Sequence, residues 1–318
     1  MKRIGIDLGG TNIAAGVVDE NGKILGKASI KTDLPASADS IADRMFLAAE
    51  EACRAANTGL SEISAVGAGV PGAVDPRTGT VSFSNNLGFV DVPLGEMLSC
   101  RFKKECFIEN DANAAALGEF KAGAGKGTEN FILVTLGTGI GGGIIIGGKI
   151  YSGGNFAGGE LGHTVLIKDG EPCSCGRKGC FEVYASASAL VKQAKEEMKN
   201  APESILWKLG GKNAGNLGGR EIFEAYRSGD PAAKTVVKRY SGYLAEGLSD
   251  IVNIFQPDML CIGGGVSGAG ELLLAPVRET VLKNDYARNC KRRVKIAAAA
   301  LGNDAGIIGA AFLGLNAK

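Results

Sequence analysis

Arg3-Ile4-Gly5-Ile6-Asp7-Leu8-Gly9-Gly10-Thr11-Asn12-Ile13-Ala14-Ala15-Gly16-Val17-Val18 is two apolar runs joined by a glycine turn, with one carboxylate near the end of the first run. Short apolar runs bounded by glycine and asparagine read as strands. The turn carries little side chain, so its backbone N–H groups can close around an anion. Asn21-Gly22 then supplies a primed hairpin turn, and 23–31 reads as a third strand. The pattern returns in the other half of the chain: a strand over 130–136, the turn Gly137-Thr138-Gly139, a strand over 141–146, and Gly147-Gly148 leading into a third strand. Two glycine-turn hairpins about a domain length apart predict an internal duplication of one β-β-β unit.

Between and after these units the periodicity turns helical. Ile41, Met45, Ala48, Ala49 and Ala52 line one face of a helix near 38–57, and a strand over 63–67 runs into Gly69-Val70-Pro71-Gly72. Helices are expected at 185–199, 220–228 and 231–255. The last presents Val236, Val237, Tyr240, Leu244, Leu248, Ile251 and Phe255 at helical spacing and stops at Gln256-Pro257. A buried strand over 259–262 opens onto Gly263-Gly264-Gly265, and a terminal helix over 304–315 is expected to pack back on the N-terminal domain.

With 318 residues the chain is long enough for two domains. Lys plus Arg is 35 against 34 for Asp plus Glu, which leaves no field to attract nucleic acid or a membrane surface. No apolar run approaches a bilayer span. Met1-Lys2-Arg3-Ile4-Gly5-Ile6 leads directly into a strand and does not read as a secretion signal, and eight cysteines without one suggest reduced thiols in a cytoplasm. Glycine is the outlier, 49 against 9 prolines, and its clustering points to tight turns where backbone approaches a ligand.

Gly137-x-Gly139-x-x-Gly142 and Gly263-x-Gly265-x-x-Gly268 formally match a dinucleotide fingerprint, but that fingerprint needs a helix after the turn, and a strand follows Gly142. A phosphate loop ending in Gly-Lys-[Ser/Thr] is missing too: Gly125-Lys126 is followed by Gly127. Phosphate would instead be gripped by paired hairpin turns. That arrangement resembles the sugar kinase, actin and heat-shock ATPase superfamily (ribonuclease H-like), an α/β fold of two related domains with the nucleotide in the interdomain cleft.

The sole histidine heads a cysteine cluster, His163-x9-Cys173-x-Cys175-x4-Cys180. One nitrogen and three sulfurs are the ligand set of a closed tetrahedral zinc site. Gly176-Arg177-Lys178-Gly179 lets the chain double back, and its two basic residues offset thiolate charge. Cys-x-Cys neighbours do not bridge easily, which weighs against a disulfide; three ordinary thiols beside a lone histidine is the alternative. Four protein ligands leave no open position, so the metal would be structural.

With these motifs in place, nearly the whole chain resembles the ROK family of repressors, open reading frames and kinases. The resemblance rests on Asp7-x-Gly9-Gly10-Thr11, Val70-Pro71-Gly72, Asn86-Leu87-Gly88, Glu109-Asn110-Asp111-Ala112-Asn113, Gly159-Glu160-Leu161-Gly162-His163 and Cys173-x-Cys175-Gly176-x-x-Gly179-Cys180-x-Glu182. Glu182-Val183-Tyr184-Ala185-Ser186 is similar to bacterial ATP-dependent glucokinases in particular. Phe89 stands where such enzymes commonly carry Trp, a mild departure. Family repressors bear an additional N-terminal helix-turn-helix; with Arg3 already in the first strand, none is expected here.

The resemblance implies ATP-dependent phosphorylation of glucose at its 6-hydroxyl to glucose 6-phosphate, with catalytic Mg²⁺ and structural Zn²⁺. Asp111, expected to cap the helix that begins after it, would be the general base. Pro71, Gly72, Asn86, Asn110, Asp111, Glu160, His163 and Glu182 would bind the sugar. Asp7, Gly9, Gly10, Thr11, Asn12, Gly137, Thr138 and Gly139 would serve the phosphates and Mg²⁺, and Gly264 and Gly265 the adenosine. His163, Cys173, Cys175 and Cys180 would hold the zinc. No contact is assigned to Trp207 or the 208–219 loop. The expected domains are 1–110, completed by 304–318, and 111–303 with the zinc motif at 163–180. An N-acetylmannosamine, N-acetylglucosamine or other hexose kinase, and a sugar-sensing regulator without catalysis, are the competing readings. Family analogy implies a homodimer.

Overall fold

The computed structural model describes residues 1–315; the last three positions of the expected 304–318 segment lie outside the described residues. The chain opens with β1 (Lys2–Leu8), β2 (Asn12–Val18) and β3 (Ile24–Lys31), followed by α1 (Ala38–Ala55) and β4 (Ile63–Val70). Then come three short strands, β5 (Ala73–Asp75), β6 (Thr80–Ser84) and β7 (Phe89–Val92), and after them α2 (Leu94–Phe102), β8 (Cys106–Asn110) and α3 (Asp111–Ala122). The repeat begins with β9 (Phe131–Leu136), β10 (Ile140–Ile146) and β11 (Lys149–Ile150). Helices α4 (Glu182–Ala185), α5 (Ala187–Met198), α6 (Leu206–Gly210), α7 (Gly219–Arg227) and α8 (Pro231–Phe255) come next, then β12 (Met259–Gly263), α9 (Glu271–Asn284), β13 (Lys295–Ala298) and α10 (Ala305–Phe312).

Two five-stranded sheets have the same connectivity, β3-β2-β1-β4-β8 and β11-β10-β9-β12-β13. In the first, β1 pairs antiparallel with β2 and parallel with β4, and β4 pairs parallel with β8. The second ends likewise in a parallel pair, β12 with β13. The duplication expected from the glycine-turn hairpins thus extends through all five strands, at the level of topology.

Two compact units divide the chain. The first holds Met1–Leu133, Gly143–Gly159 and the described residues from Ala300 onward; the second holds Val134–Gly142 and Glu160–Ala299. This differs from a boundary at residue 110, because α3 stays with the first unit. Small residues are the cause: a Cβ on Gly309 of α10 would fall 1.6 Å from the Ala114 carbonyl oxygen of α3, so the two helices meet backbone to backbone.

In the first unit β1 is central. Ile4, Ile6 and Leu8 are fully buried in a core that α1 completes with Ile41, Met45, Ala48, Ala49 and Ala52. The opposite face of β1 and β4 has glycines, and α10 lies on them. A Cβ on Gly5 would meet the Ile307 carbonyl oxygen at 1.8 Å, and one on Gly67 the Ala310 oxygen at 1.8 Å. Helix α10 is apolar all round and buried accordingly.

In the second unit α8 keeps its expected bounds. Asp230 accepts the Ala233 N–H at 2.8 Å, Pro231 starts the helix, and Gln256 ends it in the left-handed region at φ 42°. The expected helix over 185–199 is broken at Ser186, whose Oγ caps α5 by accepting the Ala189 N–H. Strands β5–β7 and helices α2 and α9 are additions to the sequence reading. Strands of three to five residues are too short to show a period, and Pro276 interrupts the helical signal of α9.

Gly67→Ala is expected to destabilise the fold by about 1–3 kcal/mol, the usual range for an added methyl in a filled core. The urea midpoint should fall with an unchanged slope; a variant as stable as the parent would show that α10 can lift off the sheet at no cost.

Candidate functional site

The first unit's candidate residues gather at the elbow between β8 and α3. Asn110 has extended backbone and Asp111 is already helical, so the N-cap is Asn110 and not Asp111, a correction to the sequence reading. Asn110 Oδ1 accepts the Asn113 N–H at 3.1 Å, and its Nδ2 donates to the Gly72 carbonyl oxygen at 3.1 Å. Asp111 keeps its carboxylate at the positive end of the helix, where Oδ1 accepts the Ala112 N–H at 2.9 Å. Burial outweighs these bonds and holds Asp111 above the ordinary carboxylate range.

Asp7, at the edge of the first glycine turn, is pushed up to about 6 by burial and by the neighbouring Asp111 charge. It also packs against Gly306, where a Cβ would fall 2.6 Å from its Oδ2. Within that turn Gly9 donates to the Asn12 carbonyl at 2.9 Å, Thr32 Oγ1 donates to the Gly9 carbonyl at 2.7 Å, and Gly10, Thr11 and Asn12 are exposed at the tip. Gly72 adopts φ 119° with no room for a Cβ, which would sit 2.2 Å from the Phe83 oxygen. The bond from Asn110 thus joins the Pro71-Gly72 turn to the elbow; Asn86, exposed between β6 and β7, takes no part in that link.

Glu109 lies in the same motif, and sequence reasoning assigns it no role; its place in the fold supplies one. It is 4% exposed, its Oε1 accepts the Asn110 N–H at 2.9 Å and Asn113 Nδ2 at 3.1 Å, and Ser152 bonds to it as well. Burial raises its pKa. A charged residue at the end of an apolar strand was the available signal.

In the second unit the 137–139 turn is closed by the Gly137 N–H on the Gly139 carbonyl at 3.0 Å, with Gly137 and Thr138 exposed. The Ile140 N–H donates to Glu182 Oε2 at 2.9 Å. Gly264, at φ 84°, backs onto the Leu136 backbone, where a Cβ would be 2.3 Å from the carbonyl oxygen. Gly265 opens a short 3₁₀ turn and lines a cavity of about 250 Å³ together with Gly219, Arg220, Phe223 and Val266. Trp207 bonds the Ala201 carbonyl at 3.1 Å and is a local structural contact.

The Cys/His cluster is assembled. Ligand atoms of His163, Cys173, Cys175 and Cys180 all lie within 4.8 Å of one another. Cys175 Sγ and Cys180 Sγ are 3.7 Å apart, and Cys173 Sγ is 3.6 Å from His163 Nδ1. A tetrahedral zinc with the usual bond lengths requires about 3.8 Å between sulfurs and about 3.6 Å between nitrogen and sulfur, so the residues present fit that ion. The turn needs its glycines: Gly176 and Gly179 have φ of 86° and 78°, and a Cβ on Gly179 would strike the Ile167 oxygen at 1.7 Å. Burial, then the neighbouring cysteines, push Cys180 up to about 12. His163 Nε2 points the other way, 4.0 Å from Glu160 Oε2.

Residues 3–317 match the ROK family, and the chain belongs to it. The glucokinase of Streptomyces coelicolor is 41% identical over 312 residues, covering 98% of this chain and 96% of that protein. The glucokinase of Thermotoga maritima is 39% identical over 315 residues, 98% and 97% of the two chains. Among solved structures, a ROK family glucokinase from Streptomyces griseus in complex with glucose and AMPPNP superposes with a TM-score of 0.84 at 40% identity, over 98% of this chain and 99% of that one.

A carboxyl with a folded pKa near 6 binds its proton more tightly in the folded chain than in the unfolded one, where it titrates at about 3.9. The stability this gives is present at low pH and is lost as pH rises from about 4 to about 6. Asp7→Asn should therefore be more stable than the parent at pH 8 and near parity at pH 4 in paired urea titrations. A parent that stayed the more stable at pH 8 would show that its carboxylate is compensated in the fold.

Proposed function

We propose that the protein transfers the γ-phosphoryl group of ATP to the 6-hydroxyl of glucose, giving glucose 6-phosphate. The observation that carries this is full-length identity of about two residues in five to a glucokinase structure that holds glucose and AMPPNP. It is joined here to a carboxylate at a helix N-terminus and two glycine turns of the kind that grip phosphate.

Asp111 accepts the proton of the attacking hydroxyl. Burial holds its pKa above the ordinary carboxylate range, the Ala112 N–H favours its charged form, and the capping task falls to Asn110. Gly9, Gly10, Thr11 and Asn12, and Gly137, Thr138 and Gly139, surround the phosphates: the Gly9 and Gly137 N–H groups close the two turns, and the Thr11 and Thr138 hydroxyls face the phosphates as donors. Asp7 serves the Mg²⁺ that accompanies ATP, and the Asp7–Asp111 repulsion is what such a cation relieves. Gly264 and Gly265 take the adenosine at the cavity beside α7. Asn86, Asn110, the Pro71-Gly72 turn, Glu160, His163 and Glu182 bind the sugar, whose hydroxyls need many directional partners.

His163, Cys173, Cys175 and Cys180 would hold zinc, which would supply a structural crosslink and no chemistry. With Nδ1 turned to the sulfurs, His163 keeps Nε2 for a sugar hydroxyl beside Glu160. A sugar panel in a coupled assay with ATP and Mg²⁺ tests the substrate: glucose should be phosphorylated best, and preference for an N-acetyl sugar would shift the assignment within the family.

Asp111→Asn should lower kcat by at least about a hundredfold, within the range for loss of a general base, with glucose still bound by calorimetry. More than a tenth of parental kcat would place the base elsewhere. Cys175→Ser should lose its zinc by elemental analysis and bind glucose more weakly. Complete metal loss with an unchanged KM for glucose would detach the cluster from the sugar site.

A further inference from the structure

Glu182 engages two parts of the second unit at once. Its Oε2 accepts the Ile140 N–H at the exit of the 137–139 turn, and its Oε1 lies 3.9 Å from Cys173 Sγ in the cluster. The fit against the turn is tight: a Cβ on Gly139 would fall 2.1 Å from Oε2, so only glycine lets the carboxylate reach. A few residues on, the Ala187 N–H donates to the Gly137 carbonyl oxygen at 2.9 Å. The first N–H groups of a helix have no partner within it, and the break at Ser186 delivers one of them to the turn. Residues 182–187 thus hold the turn at both ends. Their own position is set upstream, where Cys180 is in the cluster and Phe181 is fully buried on Gly247 of α8.

We propose that Glu182 is a positioning residue for the phosphate-binding turn: it is the strut through which the Cys/His cluster, with Ala187 as second anchor, fixes the shape of that turn, so that nucleotide affinity depends on it even when no sugar is present. The proposal rests on the reading that the 137–139 turn holds ATP phosphates. A turn of two glycines and a threonine has wide backbone freedom, and an unanchored one must be ordered by its ligand at the expense of affinity. A carboxylate on a backbone N–H is among the stronger anchors available. Because the same side chain is assigned to the sugar, the two ligands would share a partner, and zinc loss would be felt at both.

The variants separate the roles. Glu182→Ala removes the acceptor. Glu182→Gln keeps an oxygen for Ile140 but loses the charge the sugar hydroxyls would use. Ala187→Pro deletes only the second anchor, at a helix position where proline is tolerated and after a residue already extended (Ser186 ψ 169°); it touches neither cluster nor sugar ligand.

The measurement is calorimetric titration of AMPPNP–Mg²⁺ into sugar-free protein, with zinc content recorded for each variant, and hydrogen exchange at the Ile140 amide. Glu182→Ala should weaken nucleotide binding about tenfold or more, the expected cost of a charge-assisted bond, and Ala187→Pro severalfold, that of a neutral one. Glu182→Gln, which keeps a neutral acceptor for Ile140, should lose less nucleotide affinity than Glu182→Ala while losing glucose affinity. Ile140 exchange should accelerate in Glu182→Ala. Parental nucleotide affinity in both Glu182→Ala and Ala187→Pro would overturn the strut and leave Glu182 to the sugar alone. If Glu182→Ala lost its zinc or its fold, Ala187→Pro with glucose affinity intact decides by itself: weakened AMPPNP supports the proposal, and parental affinity overturns it. A parent that bound no AMPPNP would overturn the phosphate reading itself, and the strut with it.

Discussion

Helix α10 lies on the bare backbone of β1, β4 and α3, and the first unit depends on that approach. Carbonyl oxygens of Ile307 and Ala310 occupy the space that side chains at Gly5 and Gly67 would fill, and Gly309 in turn makes room for the Ala114 carbonyl. The contact joins the two ends of the chain's first unit, since α10 comes last and β1 first. Glu119 fastens the same seam. Fully buried on α3, it accepts the N–H groups of Ala124 and Ala300 at Oε2 and of Leu301 at Oε1, which fixes the stretch that leads into α10. With the sheet, α3 and α10 locked together, the ends of β1 and β8 are held still, and Asp7 and Asp111 are carried on those ends.

Those two carboxylates show how burial and position oppose each other. A helix N-terminus and a backbone N–H favour the charge on Asp111, and the loss of water disfavours it more. Asp7 gains a further penalty from Asp111 itself. An arrangement that stores like charges with little solvent is poor for stability and suited to a site that receives a cation and a proton. Glu109 beneath them carries a different load. Its bonds to the Asn110 N–H and the Asn113 amide organise the elbow so that the cap Asn110 and the proposed base Asp111 are adjacent residues.

In the second unit the Cys/His cluster sits on a chain segment that would otherwise be loop. Three sulfurs and one nitrogen converge to within 4.8 Å of one another at the hairpin, and glycines at 176 and 179 allow the turns that this convergence demands. The cluster positions the residues C-terminal to it: Phe181 into the core, Glu182 onto the Ile140 amide, Ser186 and Ala187 at the head of α5. A short motif thereby adjoins residues of two kinds, those proposed for the sugar and those of the 137–139 turn.

Much of this was legible in the sequence because it is local. Strands β1–β3 and β9–β11 follow from apolar runs and turn residues, α8 from its period and its Asp230 and Gln256 ends, and the cluster from ligand type and spacing. These signals depend on neighbours in the chain, and the ROK motifs are of the same local kind. Tertiary structure alone decided the rest. Asn110 took the cap from Asp111 because Gly72 lies across from it to accept its amide. Helix α3 joined the first unit because α10 has a glycine where Ala114 comes close. Glu119 looks in sequence like an ordinary helix glutamate, and Glu182 like a sugar ligand only; each accepts from backbone N–H groups far along the chain, Leu301 and Ile140, and only folding brings those donors within reach. Sequence spacing sets which residues can meet within a turn, whereas a partner in a distant segment is chosen by packing.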